Sequence, residues 1–524
     1  MSRPRTVGRA AVDMGVATAV SRVFGLVRVL VIVAVLGTTF LGNTFQASNS
    51  ISNVLFDLLA EGALSAVLVP TFVDLFRHGR DDEAERLAGG LLGAALVVLG
   101  AISLLSIVFA PELARAVTAG NRDAHIAAQQ RHLATFLLRF FVPQVLLYAY
   151  GAVATGVLYA RRRFVVTAVA PIGSTIVIVA CLVVFRIQAG PRPGFALSGS
   201  ERLLLAVAGT GGVLAFVGVL AGACRRTGFR LRPRWPAGDA AVRRVLRFSF
   251  WGVFLNAGEG MLMAAVLVIG NAVSGGVVAY QAAFVFFLAP YAVLSQPIHT
   301  AILPEISGEA ARGDLDAFAE SVRRGLDSMA LLVVPAAVSY LVFAMPIMKV
   351  VAFGASARSG VPLLAAGVAA LGVGLYAYGA FLLLARAYYA LGDSRWPAIV
   401  AIISAAIGVV VMAAGAAATH GAAKVAALGI GHSVAYLLGA VALGVGLARR
   451  TGHSLVPRQL GRAVAVSGGI GALAWLAMRV ISPDGRAETL GVLIVVGGAA
   501  AAAYIAVLRV SGARLSLRAT SGPA

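Results

Sequence analysis

The sequence predicts an all-α, polytopic membrane protein with about fourteen transmembrane helices. Three observations predict it. Hydrophobic stretches long enough to cross a bilayer recur along the 524 residues; a span needs ~20 mostly apolar residues, because the hydrocarbon core is ~30 Å thick and a helix rises ~1.5 Å per residue. The composition is 60% hydrophobic and only 12% charged, with a mean hydropathy of +0.90, a balance foreign to soluble domains. The hexapeptide LYAYGA occurs twice, which points to two six-helix lobes in parallel repeat, followed by two extra helices.

The first lobe, residues 1–230, holds spans 1 to 6 near 11–37, 44–72, 86–110, 132–157, 163–186 and 203–223. Span 1 is too long for a cleaved signal peptide, and Asp13, Arg22 and Arg28 interrupt it. The second lobe, residues 231–450, holds spans 7 to 12 near 244–270, 273–302, 319–346, 362–391, 396–417 and 423–448. Residues 451–524 supply spans 13 and 14, near 463–480 and 489–509, and a short tail. The segments near 111–131, 187–202 and 224–243 read as loops, and none is long enough for a soluble domain.

The repeat rests on position as well as identity. LYAYGA falls at Leu147–Ala152 in span 4 and Leu375–Ala380 in span 10, and each span ends at a basic loop. A weaker echo pairs ALSAVLVP, ending at Pro70, with PIHTAILP, ending at Pro304. The unit is therefore six spans, an even number, so both halves have the same orientation. Parallel repeats characterise many transporters, whose substrate site lies near the midplane.

A net charge of +21 suggests nucleic acid, but its distribution argues for topology instead. Arginines crowd the tails and alternate loops: Arg3 to Arg9, Arg77 to Arg86, Arg161 to Arg163, Arg225 to Arg247, and Arg449 and Arg450. That is the positive-inside pattern, with both termini cytoplasmic and anionic lipid headgroups as the partner. Cys181 and Cys224 are expected as free thiols, and His299 and His432 as buried structural histidines. No spacing suggests a cofactor, a metal or a catalytic triad, so an enzyme is not expected.

Polar residues inside spans are the functional candidates, because each costs several kcal/mol unless it meets a partner or a wet cavity. Gln46, Asn49, Asn53, Asp57, Glu61 and Ser65 recur at steps of three or four along span 2, on one helical face. Arg22 and Arg28 on span 1 suit a phosphate through forked, charge-assisted hydrogen bonds. Asp57, Glu61 and Glu259 read as counter-charges, in an ion-pair network or as gating partners. Arg386 reads either as a gating group or as a side chain that snorkels or caps backbone.

The chain resembles the MurJ (MviN) lipid II flippases of the MATE-like multidrug/oligosaccharidyl-lipid/polysaccharide exporter superfamily. The resemblance lies in SRVFGLVR at Ser21–Arg28, LLAEGALSAVLVP at Leu58–Pro70, AILPEIS at Ala301–Ser307 and LLARAYYALGDSRWP at Leu383–Pro397. It extends over the whole chain. It implies fourteen helices, a central cavity, and translocation of undecaprenyl-diphosphate-linked disaccharide-pentapeptide by alternating access across a bacterial plasma membrane. It also implies that Arg22 and Arg28, with Asn53, meet the headgroup, that spans 13 and 14 cradle the polyprenyl tail, and that cell-wall synthesis proteins are possible partners. The chain departs from the family at Val29, where many members have an acid, at Phe56 and Asp57, where many have an arginine pair, and at Asn43, where an acid is common. No basic residue stands between Tyr280 and Tyr291. A less basic cavity leaves two further readings: an exporter of another polyprenyl-linked glycan or of a drug, and a non-transporting scaffold of envelope assembly.

Overall fold

The computed structural model describes residues 7–56, 62–235 and 256–510. The chain divides into two compact units, Met1–Val278 and Ala279–Ala524. The first contains α1 (Val7–Leu36), α2 (Phe40–Phe56), α3 (Gly62–Arg77), α4 (Asp81–Val108), α5 (Ala110–Thr118) and α6 (Ala124–Phe141). It continues with α7 (Gln144–Ala160), α8 (Phe164–Ala189), α9 (Gly199–Arg226) and α10 (Asn256–Gly270). Next come α11 (Gly276–Pro290), a π-helical turn (Tyr291–Ser295), α12 (Gln296–Arg312), α13 (Leu315–Val351), α14 (Ser356–Ser359) and α15 (Val361–Val373). The chain closes with α16 (Leu375–Ala390), α17 (Arg395–Ala418), α18 (Gly421–Thr451), α19 (Leu460–Ile481) and α20 (Arg486–Val510). Among the described residues every regular element is helical, as the sequence predicts.

Among the described residues ten helical spans are long and apolar enough to cross a membrane, or eleven with the bent pair α15–α16. Helices α1, α2–α3 and α10 fall where the other three spans are expected. The segment near 111–131 is not a loop. It contains α5 and the first turns of α6, begun by Pro111 in the first turn of α5 and by Asp123, whose carboxylate accepts from the His125 and Ile126 backbone N–H groups. Its residues are too polar to register as a span, so hydropathy alone hides these helices.

The two units repeat one packing plan. In the first, α8 packs on α9, α7 on α9, and α3 and α4 on α7. In the second, α17 packs on α18, α16 on α18, and α12 and α13 on α16. Close approach depends on small residues. A Cβ on Gly209 of α9 would stand 2.4 Å from the Phe141 ring. Helices α19 and α20 pack on α13. α20 is apolar all round and buries only Thr489 and Tyr504, so lipid must cover most of it.

Each LYAYGA follows a break. Pro143 lacks an N–H and separates α6 from α7. The freed carbonyls find side chains: Phe140 accepts from Thr210 Oγ1 at 2.9 Å and Phe141 from Ser52 Oγ at 2.6 Å. In the second unit Gly374 separates α15 from α16 at a 46° bend. A Cβ on Gly374 would lie 2.6 Å from Ser433 Oγ, so a larger residue would press α18 away.

Candidate functional site

In the first unit, α1 packs against α8. Its C-terminal part buries Ile32, Val33, Val35 and Leu36, whereas Val20, Val23, Phe24 and Val27 are exposed. The two arginines lie on the less covered part. Arg22 is exposed, and Arg28 is partly buried with its guanidinium in the electrostatic neighbourhood of the Tyr148 phenol on α7. Among the described residues neither forms an ion pair. Val29 is buried and packs as an apolar side chain.

On α2, Gln46 is buried while Asn49 and Asn53 are partly buried. The expected counter-charges Asp57 and Glu61 lie outside the described residues. Glu259 is partly buried on α10, one turn after Asn256, and both are engaged by neighbours. The structure therefore places Arg28, Asn53 and Glu259 at partly buried positions within the first unit.

A buried amide network, not foreseen from the sequence, ties this unit together. Gln130 on α6 is fully buried. Its Nε2 donates to Asn271 Oδ1 at 3.1 Å and Thr44 Oγ1 at 3.3 Å, and its Oε1 accepts from Asn121 Nδ2 at 3.0 Å. Asn271 Nδ2 donates to the Val117 carbonyl at 2.7 Å. Asn43, the position where the resemblance suggests an acid, donates to the Val273 carbonyl at 2.8 Å and accepts from the Val277 N–H at 3.1 Å. Asn271, a lone amide at the end of an apolar run, implies a buried partner without naming it, whereas Gln130 stands among Gln129, Arg131 and His132 and carries no such signal.

The second unit carries a seam of imidazoles and phenols. His432 on α18 is fully buried, contacts the Tyr280 hydroxyl through Nδ1, and pairs with Tyr436 Oη at 3.0 Å through Nε2. Tyr436 and Tyr378 rings lie 4.7 Å apart, as do Tyr378 and Tyr291. Tyr291 Oη lies 3.5 Å from His299 Nδ1, and His299 Nε2 lies 3.3 Å from Met329 Sδ. Arg386, half-buried on α16, is an electrostatic neighbour of His299. Both histidines are thus buried and partnered, as expected. The tyrosines of this seam carry no distinct sequence signal, because an aromatic in an apolar span ordinarily reads as packing.

A groove of about 710 Å³ opens between α13, α19 and α20. Its walls include Leu331, Pro335 and Val338 of α13, Gly471 of α19 and Gly497 of α20, with Arg509 at its edge. Its lining is mostly apolar, which suits hydrocarbon better than a polar ligand. Among the described residues no group of three His, Cys, Asp or Glu side chains is placed to hold a metal ion. Cys181 and Cys224 are free thiols.

Residues 32–494 match the family model described as "Lipid II flippase MurJ". A "Probable lipid II flippase MurJ" of Rhizobium tropici is 28% identical over 465 residues, covering 87% of this chain and 83% of its own. The "Lipid II flippase MurJ" of Burkholderia cenocepacia is 26% identical over 390 residues, covering 74% and 73%. The solved structure of a lipid II flippase MurJ in an inward closed conformation superposes with a TM-score of 0.75 at 17% identity, covering 96% of this chain and 99% of that one. An inward-facing multidrug resistance MATE transporter of the MOP superfamily gives 0.65 at 12% identity, covering 84% and 98%. These two structural likenesses establish the fold.

Proposed function

The chain belongs to the lipid II flippase MurJ family, and from that premise we propose that it carries lipid II from the inner to the outer leaflet of a bacterial plasma membrane by alternating access. The family is one of transporters, and the many apolar helices make this chain a multi-pass membrane protein. The observation that carries the finer reading is Arg28. It is a partly buried guanidinium on a membrane helix, and it has no ion-pair partner among the described residues. Such a cation is costly in a membrane unless an anion or water reaches it. The lipid II diphosphate is an anion able to take forked hydrogen bonds from arginine.

In this reading Arg28 and Arg22 hold the diphosphate, and Asn53 adds a polar contact. Asp57, Glu61 and Glu259 serve as counter-charges when the headgroup is absent, and Arg386 acts as a gating group. The groove along α13, α19 and α20 supports a seat for the polyprenyl tail. Both termini are cytoplasmic, by the arginine bias of the loops. The cell-wall synthesis proteins remain candidate partners in the same reading.

The test is translocation of lipid II by the purified protein in proteoliposomes, together with rescue of a flippase-depleted bacterium. Transport of lipid II and rescue are expected. Rescue without transport by the purified protein would favour an envelope-assembly scaffold. Transport of a different polyprenyl-linked glycan, with no activity on lipid II, would favour the related-exporter reading.

A further inference from the structure

A short irregular segment after α9 carries Arg230, Arg232 and Arg234 along the flank of α4. It is anchored by backbone rather than by its charges. The Arg230 N–H donates to Glu85 Oε1 at 2.9 Å, and the Arg234 N–H donates to the Gly89 carbonyl at 2.8 Å. The seat is a glycine cleft. A Cβ on Gly89 would stand 2.6 Å from the Arg232 carbonyl oxygen, and one on Gly93 only 1.8 Å from that of Arg234. The segment keeps pace with the helix: four residues of extended chain cover about 13 Å, and the eight from Glu85 to Gly93 rise about 12 Å.

Side chains alternate over its first four residues. Phe229 is buried and Leu231 packs on the same apolar cluster of α3, α4, α7 and α9. Arg230, Arg232, Arg234 and Trp235 are exposed. Among the described residues none of the three guanidinium groups takes a hydrogen bond or an ion pair. Three of the four acids at the start of α4 are otherwise occupied. Asp81 pairs with Arg161 at 2.5 Å, Glu83 with Arg80 at 3.5 Å, and Glu85 accepts the Arg230 N–H; Asp82 is exposed.

Depth gives the segment its meaning. No charged residue follows Arg86 in α4, so the helix is apolar from Leu87 to Val108. Gly93 is about 9 Å past the start of that run. The Arg234 backbone sits there, yet its stem turns back: Cγ and Cδ lie 3.0 and 3.2 Å from a Cβ position on Gly89, toward the charged end of α4. That is the geometry of a snorkelling side chain, and the neighbouring Trp235 is 76% exposed, as interfacial tryptophans are.

We propose that residues 229–235, seated in the α4 glycine cleft, form a strap that binds the phosphate headgroups of anionic phospholipids. The strap fixes three arginines at headgroup depth in advance, and it does so independently of any transported substrate. The binding partner is a phosphodiester held by charge, so affinity falls as salt rises.

The probes are dioleoylphosphatidylglycerol and dioleoylphosphatidylcholine, added to the purified full-length protein in detergent, with retained lipid read by native mass spectrometry. The wild type should retain phosphatidylglycerol in preference. A combined Arg230→Gln, Arg232→Gln, Arg234→Gln variant should lose about 100-fold in that affinity, at about tenfold for each 1.4 kcal/mol and about 1 kcal/mol per arginine. Gly93→Ala keeps every arginine but displaces the strap, and it should weaken binding as well; if that variant does not fold, the triple variant decides alone. Equal retention by the triple variant and the wild type would overturn the proposal. So would competition by inorganic phosphate at the same concentration as the lipid, which would mark a free-anion site. Tighter binding of a single-stranded oligonucleotide than of phosphatidylglycerol would overturn it as well.

Discussion

Asn43 of α2 caps α11: its Oδ1 accepts the Val277 N–H at 3.1 Å while its amide donates to the Val273 carbonyl at 2.8 Å. The side chain is fully buried, so no water replaces it. Asn43→Ala removes a helix cap and strands buried backbone groups. The expected loss is about 1–3 kcal/mol, read as a lower thermal midpoint in detergent. An unchanged midpoint would show that the cap contributes nothing.

Gln130 joins more partners than Asn43 does. Gln130→Ala leaves Asn271 and Asn121 each without a side-chain partner. The Asn271 amide oxygen, fully buried, is left unsatisfied at about 1–3 kcal/mol and the half-buried Asn121 amide at less; with the cavity left by the side chain added, this variant should be less stable than Asn43→Ala. Hydrogen exchange should rise across α6 and the turn at Asn271 before it rises in the second unit. Uniform acceleration throughout the chain would contradict a local role.

Asp393 supplies a pH dependence in the turn after α16. Burial raises its carboxyl, but the Trp396 N–H and the Arg450 guanidinium, with the Arg395 N–H, outweigh that and hold it below the usual range. Arg450 Nη2 lies 2.5 Å from Asp393 Oδ2 and its guanidinium covers the Tyr388 ring at 5.0 Å. A carboxyl depressed in the native state contributes stability above its unfolded value, about 3.9, and loses it as pH falls through the lower native value. Wild-type thermal stability should therefore drop below about pH 4, and Asp393→Asn should be less stable at neutral pH with a flatter acid limb. Parallel curves for the two proteins would refute the assignment.

Arg28 separates transport from folding. Arg28→Ala should lower lipid II transport by at least about tenfold, the scale of a lost charge-assisted hydrogen bond. Membrane abundance should hold, because no ion pair with a described residue is broken. Arg28→Lys keeps the charge without the planar fork and should rescue only partly. If abundance falls in step with transport, Arg28 is a structural residue.

Gly497 tests the apolar groove. No atom lies within 4 Å of a Cβ added there, although the residue lines the groove. Gly497→Phe should fold normally yet occupy the space proposed for a polyprenyl chain. Transport of lipid II with its full tail should fall, and transport of a short-tailed analogue should not. Equal transport of both by the variant would detach the groove from the tail.

The membrane helices were legible because ~20 apolar residues leave few alternatives to a span. Where that signal weakens, structure was hidden. α5 and the start of α6 are polar enough to resemble a loop, and the Gly374 bend interrupts a run whose hydropathy is continuous. The candidate site divides the same way. Arg28, Asn53, Glu259 and Arg386 stood out as polar residues in apolar surroundings. Which residues they meet did not, since Tyr148 beside Arg28 and His299 beside Arg386 come together only through tertiary packing. The strap at 229–235 was visible as a run of arginines, but the glycines that seat it are 140 or so residues earlier, and spacing at that range carries no signal.

The two copies of LYAYGA have identical side chains, so any difference between their sites must come from the surroundings. Gly151 of the first copy faces the Phe216 ring, 3.1 Å from its Cβ position, whereas Gly379 of the second faces Ser295 Oγ at 3.0 Å and Met329 Sδ at 3.3 Å. The molecule thus contains its own matched control. An alanine at Gly151 presses on an aromatic wall, and an alanine at Gly379 presses on the π-helical turn that leads into the histidine and tyrosine seam. Comparing the two substitutions within one polypeptide, at equal expression and in the same membrane, reads the mechanical importance of that turn with the local sequence cancelled out.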